Sequence, residues 1–302
     1  MIALVFPGQG SQRPGMGQAW QSHPSWELIP RLSEVTGSDL AALLVEADAD
    51  TLRATRNAQL ATFALSLVIL DAARQVDLSP DAITAVAGHS LGEYTALVAA
   101  GALSAEDGAR LVAERGEAMR AAAEATAGTM AAVLGLDTDG VTKACDGVDG
   151  AWVANDNAPG QVVISGTPAG VEQAGARAKE LGAKRVMPLP VGGAFHSPLM
   201  APAQARLDGV LNTIVFAPPR VPVVANVDAE PHRDAEGWVG RLSAQLCQPV
   251  RWRQSLERLA QLGVQQFVEL GPGTELSGMI KRTVTDARRA NVATPDDLPG
   301  LA

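Results

Sequence analysis

Aromatic residues are scarce, making up 4% of the 302 residues with a single tyrosine. Cysteine is scarcer. Cys145 and Cys247 alone cannot build a disulfide framework, and without a CxxC pair they offer no metal-binding spacing. Two lone thiols fit a reducing cytoplasm. The chain has 4 lysines beside 20 arginines, a bias read as genomic before functional. Basic residues are outnumbered, 24 Lys plus Arg against 33 Asp plus Glu. The resulting net charge of −9 argues against a nucleic-acid partner. No run of about 18 apolar residues occurs, so no membrane span is expected. The best candidate, Leu60 to Ala73, is broken by Thr62, Ser66 and Asp71. No basic stretch precedes the first short apolar run, so no secretory signal is expected. A 47% hydrophobic share is too high for a disordered chain. It supplies ample core for one large domain or two smaller ones.

Apolar periodicity divides the chain. Ile2 to Phe6 reads as a buried strand stopped by Pro7-Gly8, and Ile83 to Ala87 as another stopped by Gly88. Gln59 to Arg74, Leu91 to Ala100 and Ser104 to Ala127 read as helices, the last capped by Ser104. The pattern then changes. Strands are expected at Thr129–Leu134, Ala151–Asn155, Gln161–Ser165 and Ala183–Leu189. Helices are expected at Thr138–Cys145 and Thr167–Leu181, with Asp156 to Gly160 as a turn. That β-α-β-β-α-β order is the split arrangement of a ferredoxin-like unit. Val221–Asn226 and Val264–Leu270 read as further strands, and Asn291 to Ala302 as a weakly patterned, mobile tail. The economical reading is α/β. A catalytic domain over 1–127 and 191–302 carries a parallel sheet, and an α+β subdomain over 128–190 interrupts it.

Gly88-His89-Ser90-Leu91-Gly92 matches G-x-S-x-G between a strand and a helix, the setting of a nucleophile elbow. There Ser90 sits at a helix N-terminus, where main-chain N–H groups favour negative charge. The N–H of Leu91 would meet an oxyanion. Pro7-Gly8-Gln9-Gly10-Ser11-Gln12 is a Gly-rich turn, but no Gly stands at the sixth position of G-x-G-x-x-G, and the chain has no Gly-Lys pair. It is either a structural turn or the source of a second oxyanion donor, the N–H of Gln9. Serine needs a base. Of His23, His89, His196 and His232, the first and last lie in polar loops, where exposure is the default. His89 adjoins Ser90 on a sharp turn and suits a packing role. His196 follows Gly192-Gly193-Ala194-Phe195, where the small residues let a backbone pass close to a site. No acid stands out as third member of a triad, and a main-chain carbonyl could orient the imidazole equally well.

Taken together, several motifs carry a resemblance. They are Phe6-Pro7-Gly8-Gln9-Gly10-Ser11-Gln12, Gly88 to Tyr94, Gly193 to Ser197, Gln245-Leu246, Pro249 to Trp252 and Glu269 to Gly273. In this order they resemble the malonyl-CoA:acyl carrier protein transacylases of bacterial fatty-acid synthesis, over about residues 2–285. The resemblance implies a hydrolase-like α/β core with a ferredoxin-like insert. It also implies ping-pong transfer of malonyl through Ser90, with His196 as base and then acid and no cofactor or metal. Partners would be malonyl-CoA and an acyl carrier protein, and the protein would be a monomer. Gln9 and Leu91 would form the oxyanion hole, and the main-chain carbonyl of Gln245 would hold His196. Arg115 matches the arginine that pairs with the malonyl carboxylate; in composition alone it cannot be told from Arg110 or Arg120. Phe195 would fill the space an α-methyl needs, favouring malonyl over methylmalonyl. Asn155 and Asn157 match positions near the pantetheine arm, although turn formation explains Asn there as well.

Other readings use the same elbow. A serine thioesterase would keep an acidic triad partner and admit water. A non-catalytic docking subunit would not need Ser90, His196 and Arg115 together. Acyltransferases of polyketide synthesis and malonate decarboxylase share the motifs. Because acyl carrier proteins are acidic too, a basic rim around the Ser90 entrance is expected, with Lys184, Arg185, Lys281 and Arg282 as candidates.

Overall fold

A computed structural model describes residues 1–76 and 82–301. Strand β1 (Ile2–Phe6) leads through helices α1 (Leu28–Thr36), α2 (Leu40–Val45) and α3 (Ala49–Arg53) into the long α4 (Thr55–Gln75). Strand β2 (Ile83–Gly88) feeds α5 (Gly92–Ala99) and α6 (Ala105–Ala125). The insert follows as β3 (Thr129–Leu134), α7 (Thr138–Cys145), β4 (Ala151–Ala158), β5 (Gln161–Gly166), α8 (Pro168–Glu180) and β6 (Arg185–Pro188). The chain then returns through α9 (Ala201–Leu211), β7 (Val223–Val224), β8 (Pro231–His232), α10 (Trp238–Gln245), α11 (Trp252–Gln261), β9 (Gln266–Leu270), α12 (Glu275–Thr283) and β10 (Arg288–Val292).

The main sheet has the order β10-β9-β1-β2-β7-β8, parallel except for β8. Its central strand β1 is apolar at every position because helices cover both faces. From β1, Leu4 and Phe6 enter one core with α4, α5 and α6, while Ala3 and Val5 enter the other with α11 and α12. Phe6 pairs with Gly88, so the turns after β1 and β2 leave the same carboxyl edge side by side. Ligand sites of open α/β sheets lie at that edge.

The insert forms a second, antiparallel sheet of order β4-β5-β3-β6, with α7 and α8 over one face. Val133, Val141, Ile164 and Ala174 build a core of its own. This is the ferredoxin-like order anticipated from the element sequence.

Three expectations change. β4 runs on to Ala158, so Asn155 and Asn157 lie on a strand and the turn shrinks to Pro159-Gly160. Tertiary pairing overrides the turn-forming residues. Val250 N donates to Ala154 O and Asp156 N to Val250 O, both at 2.9 Å. Asp156 is 3% exposed and pairs with Arg253 at 2.9 Å, which locks the insert to α11. Second, the run from Val221 to Asn226 is strand only at Val223–Val224. Third, the tail is anchored. β10 is an edge strand of the main sheet, Trp20 Nε1 donates to Ala293 O at 2.9 Å, and the Asp297 carboxylate accepts from the amides of Ala293 and Thr294. Ala302 lies outside the described residues.

Candidate active site

Ser90 occupies the left-handed region, with φ of 51°. That conformation costs energy for a residue with a side chain. Glycines on either side make the turn feasible. A Cβ at Gly88 would overlap the backbone of Gly92, and one at Gly92 would overlap the carbonyl of Phe6. Asn226, just past β7 and fully buried, fixes the turn from beneath. Its Oδ1 accepts from Ser90 N and its Nδ2 donates to Gly88 O, each at 2.7 Å. The amides of Leu91 and Gln9 have no acceptor among the described residues. The Pro7–Gln9 turn lies against His89, whose carbonyl would sit 2.6 Å from a Cβ on Gly8. Gln9 lines the same cavity as Ser90, and Leu91 follows Ser90 directly at the start of α5.

Ser90 Oγ lies 2.8 Å from His196 Nε2, and His196 Nδ1 lies 2.8 Å from the main-chain carbonyl of Gln245. Because a carbonyl only accepts, Nδ1 carries the proton and Nε2 is left to take one from serine. His196 also has a positive φ, 57°. Its loop passes close to the insert because Gly128 leaves room for Ala194. Burial, and then the charge of Arg115, lowers His196 to about 3, so the imidazole is a neutral base.

Arg115, on α6, is 1% exposed. Leu111, Arg115, Met119 and Ala122 share the buried face of α6, whereas the Arg110 and Arg120 side chains are roughly half exposed and paired to carboxylates. Nη1 of Arg115 donates to Gln59 Oε1 at 2.7 Å, and Nη2 to Ser90 Oγ and Gln245 Oε1 at 3.0 Å. Its guanidinium lies 5.6 Å from the Tyr94 ring centroid, and its Nε has no partner. Glu93 is buried behind Gln245, whose Nε2 donates to it and to Ser90 O. Burial pushes the Glu93 carboxyl up to about 8 against the pull of these donors.

Ser90, His196 and Arg115 line a cavity of about 210 Å³ between the main sheet's edge and the insert, with Gln9, Asn155, Asn157 and Phe195 in its wall. His89 points away from the dyad, as expected. Its Nε2 meets Asn157 Oδ1 at 2.8 Å and its ring stands edge-on to Trp252. His23 and His232 are half-buried and not simply exposed. The first caps a short turn, and the second bonds Asp228. None of Lys184, Arg185, Lys281 and Arg282 is in the cavity wall, whose charged members are Arg115 and Glu275. Arg282 lies one helical turn beyond the lining residue Met279 and bonds Gln161. Lys184 covers Gly135, whose amide bonds the neighbouring Gly160. Of the four, Arg282 thus bridges α12 to the insert, outside the cavity wall.

Residues 3–295 match the acyl transferase domain family. The chain belongs to the acyl transferase family. The malonyl CoA-acyl carrier protein transacylase of Bacillus subtilis is 43% identical over 303 residues, covering 98% of this chain and 95% of that protein. The Salmonella typhimurium enzyme of that name is 42% identical over 288 residues, covering 94% and 93%. An acyl carrier protein S-malonyltransferase from Vibrio cholerae superposes with a TM-score of 0.95 at 38% identity, covering 100% of this chain and 99% of that one. A malonyl-transacylase solved in complex with a type II PKS acyl-carrier protein gives 0.94 at 39%, covering 99% and 98%.

Within this acyl transferase, Asn226, Glu93 and Gln59 escaped the sequence reading. Gln59 and Glu93 are polar residues on otherwise apolar helix faces, a signal that was present. Asn226 merely ends an apolar run. Asn226→Ala would strand the Ser90 amide and the Gly88 carbonyl, so a stability loss of roughly 2–4 kcal/mol is expected. A fall in kcat of at least about tenfold should accompany it as the elbow loosens. Denaturant unfolding and steady-state kinetics check both, and an unchanged kcat would reduce Asn226 to a structural residue.

Proposed function

We propose that this acyl transferase moves a malonyl group from malonyl-CoA to the phosphopantetheine thiol of an acyl carrier protein, through a malonyl-Ser90 ester, for fatty-acid synthesis. One observation carries the reading: a buried guanidinium, with no carboxylate partner among the described residues, reaches the nucleophile at 3.0 Å. A buried cation left unpaired is costly, and a substrate carboxylate completes it. An acid-lacking dyad with a neutral base suits transfer to a thiol as well as it suits attack on a thioester.

In the first half-reaction Ser90 Oγ attacks the thioester carbon and its proton passes to His196 Nε2. The amides of Gln9 and Leu91 hold the oxyanion, each worth roughly 3–4 kcal/mol. CoA leaves with the proton from His196. In the second half, His196 takes the proton of the carrier thiol, which attacks the ester and restores Ser90. Asn155 and Asn157, in the cavity wall, suit contacts to the pantetheine arm. Phe195, buried there, suits a malonyl-sized acyl pocket. The division at 128–190 makes the insert one wall of the cleft and the α/β domain the other. Lys184, Arg185, Lys281 and Arg282, outside the cavity wall, are the basic residues that would meet an acidic carrier. No cofactor enters these steps. A cytoplasmic monomer fits two free cysteines, and among the described residues no helix is long and apolar enough to cross a membrane.

Intact-mass analysis tests the proposal. Protein mixed with malonyl-CoA should gain one malonyl, mapped to Ser90, and lose it when a carrier protein is added. Rapid hydrolysis without transfer would instead make the protein a thioesterase. A panel of carrier proteins separates fatty-acid from polyketide service.

A further inference from the structure

Ser90 Oγ makes two hydrogen bonds. It donates to His196 Nε2 at 2.8 Å and accepts from Arg115 Nη2 at 3.0 Å. The second bond engages one of the two oxygen lone pairs, and the cation behind it makes the oxygen that must attack the thioester a poorer nucleophile. Among the described residues every other acceptor for Arg115 is a neutral amide oxygen, on Gln59 or Gln245. Its positive charge beside the dyad therefore has no counter-ion within bonding distance, and it opposes formation of an imidazolium at His196. The carbonyl of Gln245 orients the ring but brings no negative charge, unlike the acid of a full triad.

Resting on the reading of Arg115 as the malonyl partner, we propose that the substrate's own carboxylate serves as the missing anion of the dyad. By pairing with Arg115 it draws the guanidinium off the Ser90 hydroxyl and cancels its charge, so malonyl releases the nucleophile that attacks it. Selectivity then resides in the acylation rate as well as in binding. An acetyl thioester can occupy the cavity and still face a restrained serine. The step itself is unchanged. The Oγ–C bond forms, the C–S bond breaks, and the serine proton passes to His196 Nε2 and on to the CoA sulfur.

Supplying the carboxylate separately tests this. Wild-type protein is mixed with saturating acetyl-CoA, and acetyl-Ser90 formation is followed by rapid quench and intact mass, with formate or with chloride at equal ionic strength. Formate is small enough to sit on Arg115 beside an acetyl group. It should accelerate acetylation about tenfold at saturating acetyl-CoA, and Arg115→Gln should lose that acceleration. No change, a slowing, or equal acceleration in Arg115→Gln would overturn the proposal. The carboxylate assignment itself fails separately, as an unchanged malonyl preference in Arg115→Ala. The wild-type comparison requires no variant to fold.

Discussion

His196→Ala is expected to lower kcat/KM for malonyl transfer by roughly 10³–10⁴-fold while leaving the fold intact. Among the described residues the imidazole is the one group within reach of the Ser90 proton that is free to take it, at 2.8 Å. Arg115, the other neighbour of the hydroxyl, already carries its full complement of protons. The residual rate comes from the oxyanion donors and the positioned thioester, which the substitution leaves in place. Stopped-flow acylation and circular dichroism on the same samples measure the effect. A loss below about tenfold would remove His196 from the base role. The pH dependence has a definite sign. Burial, followed by the charge of Arg115, lowers His196 to about 3 from an ordinary 6.5. Acylation by the free enzyme should therefore show no acid limb centred on 6.5. For stability, the unfolded chain takes up this proton first as pH falls, and the folded chain does so only near 3. The site thus penalises folding progressively from about 6.5 down to about 3. His196→Gln, which cannot titrate, should lose less thermal stability than wild type across that window.

The parts of this site that were legible in the sequence depend on local rules. Gly88 and Gly92 bracket Ser90 because the turn excludes any Cβ, and strand, turn and helix are each readable from periodicity. The insert's strand order followed from its element order because short connections leave few alternatives. What stayed hidden is set by packing between distant segments. Asp156 and Asn157 carry turn propensity, yet Val250 and Arg253, nearly a hundred residues on, pull them into a strand. The tail from Asn291 on carried little pattern, yet backbone pairing with β9 draws Asn291 and Val292, with the exposed Arg288 and Arg289 before them, into an edge strand. The choice of Arg115 over Arg110 and Arg120 rested on resemblance. Its helical spacing from Leu111, Met119 and Ala122 selects the same residue by burial. Asn226 carried no signal, because its role depends on where β7 ends beside the elbow.

Arg115→Ala is expected to reduce the malonyl-over-acetyl ratio of kcat/KM by about 10⁴-fold, the discrimination typical of a site whose buried polar group is left unpaired by the wrong substrate. Two opposing changes combine in that ratio. Malonyl loses a bidentate charge-assisted partner and must bring a carboxylate into a dry cavity. Acetyl gains, because nothing polar now faces its methyl group and Ser90 Oγ no longer accepts from the guanidinium. No other lysine or arginine lines the cavity to take its place among the described residues. Arg120→Ala is the matched control. Its side chain is 43% exposed on the same helix and paired to Glu117 and Glu124, so its loss should leave the ratio unchanged. Folding of Arg115→Ala is checked by its unfolding midpoint. Removing the buried cation also removes its desolvation cost, so Gln59 and Gln245 lose a partner without leaving a charge stranded. A folded Arg115→Ala protein that still preferred malonyl as strongly as wild type would show that the carboxylate is read elsewhere. The search would then move to the insert wall, where Asn155 and Asn157 are the remaining polar side chains.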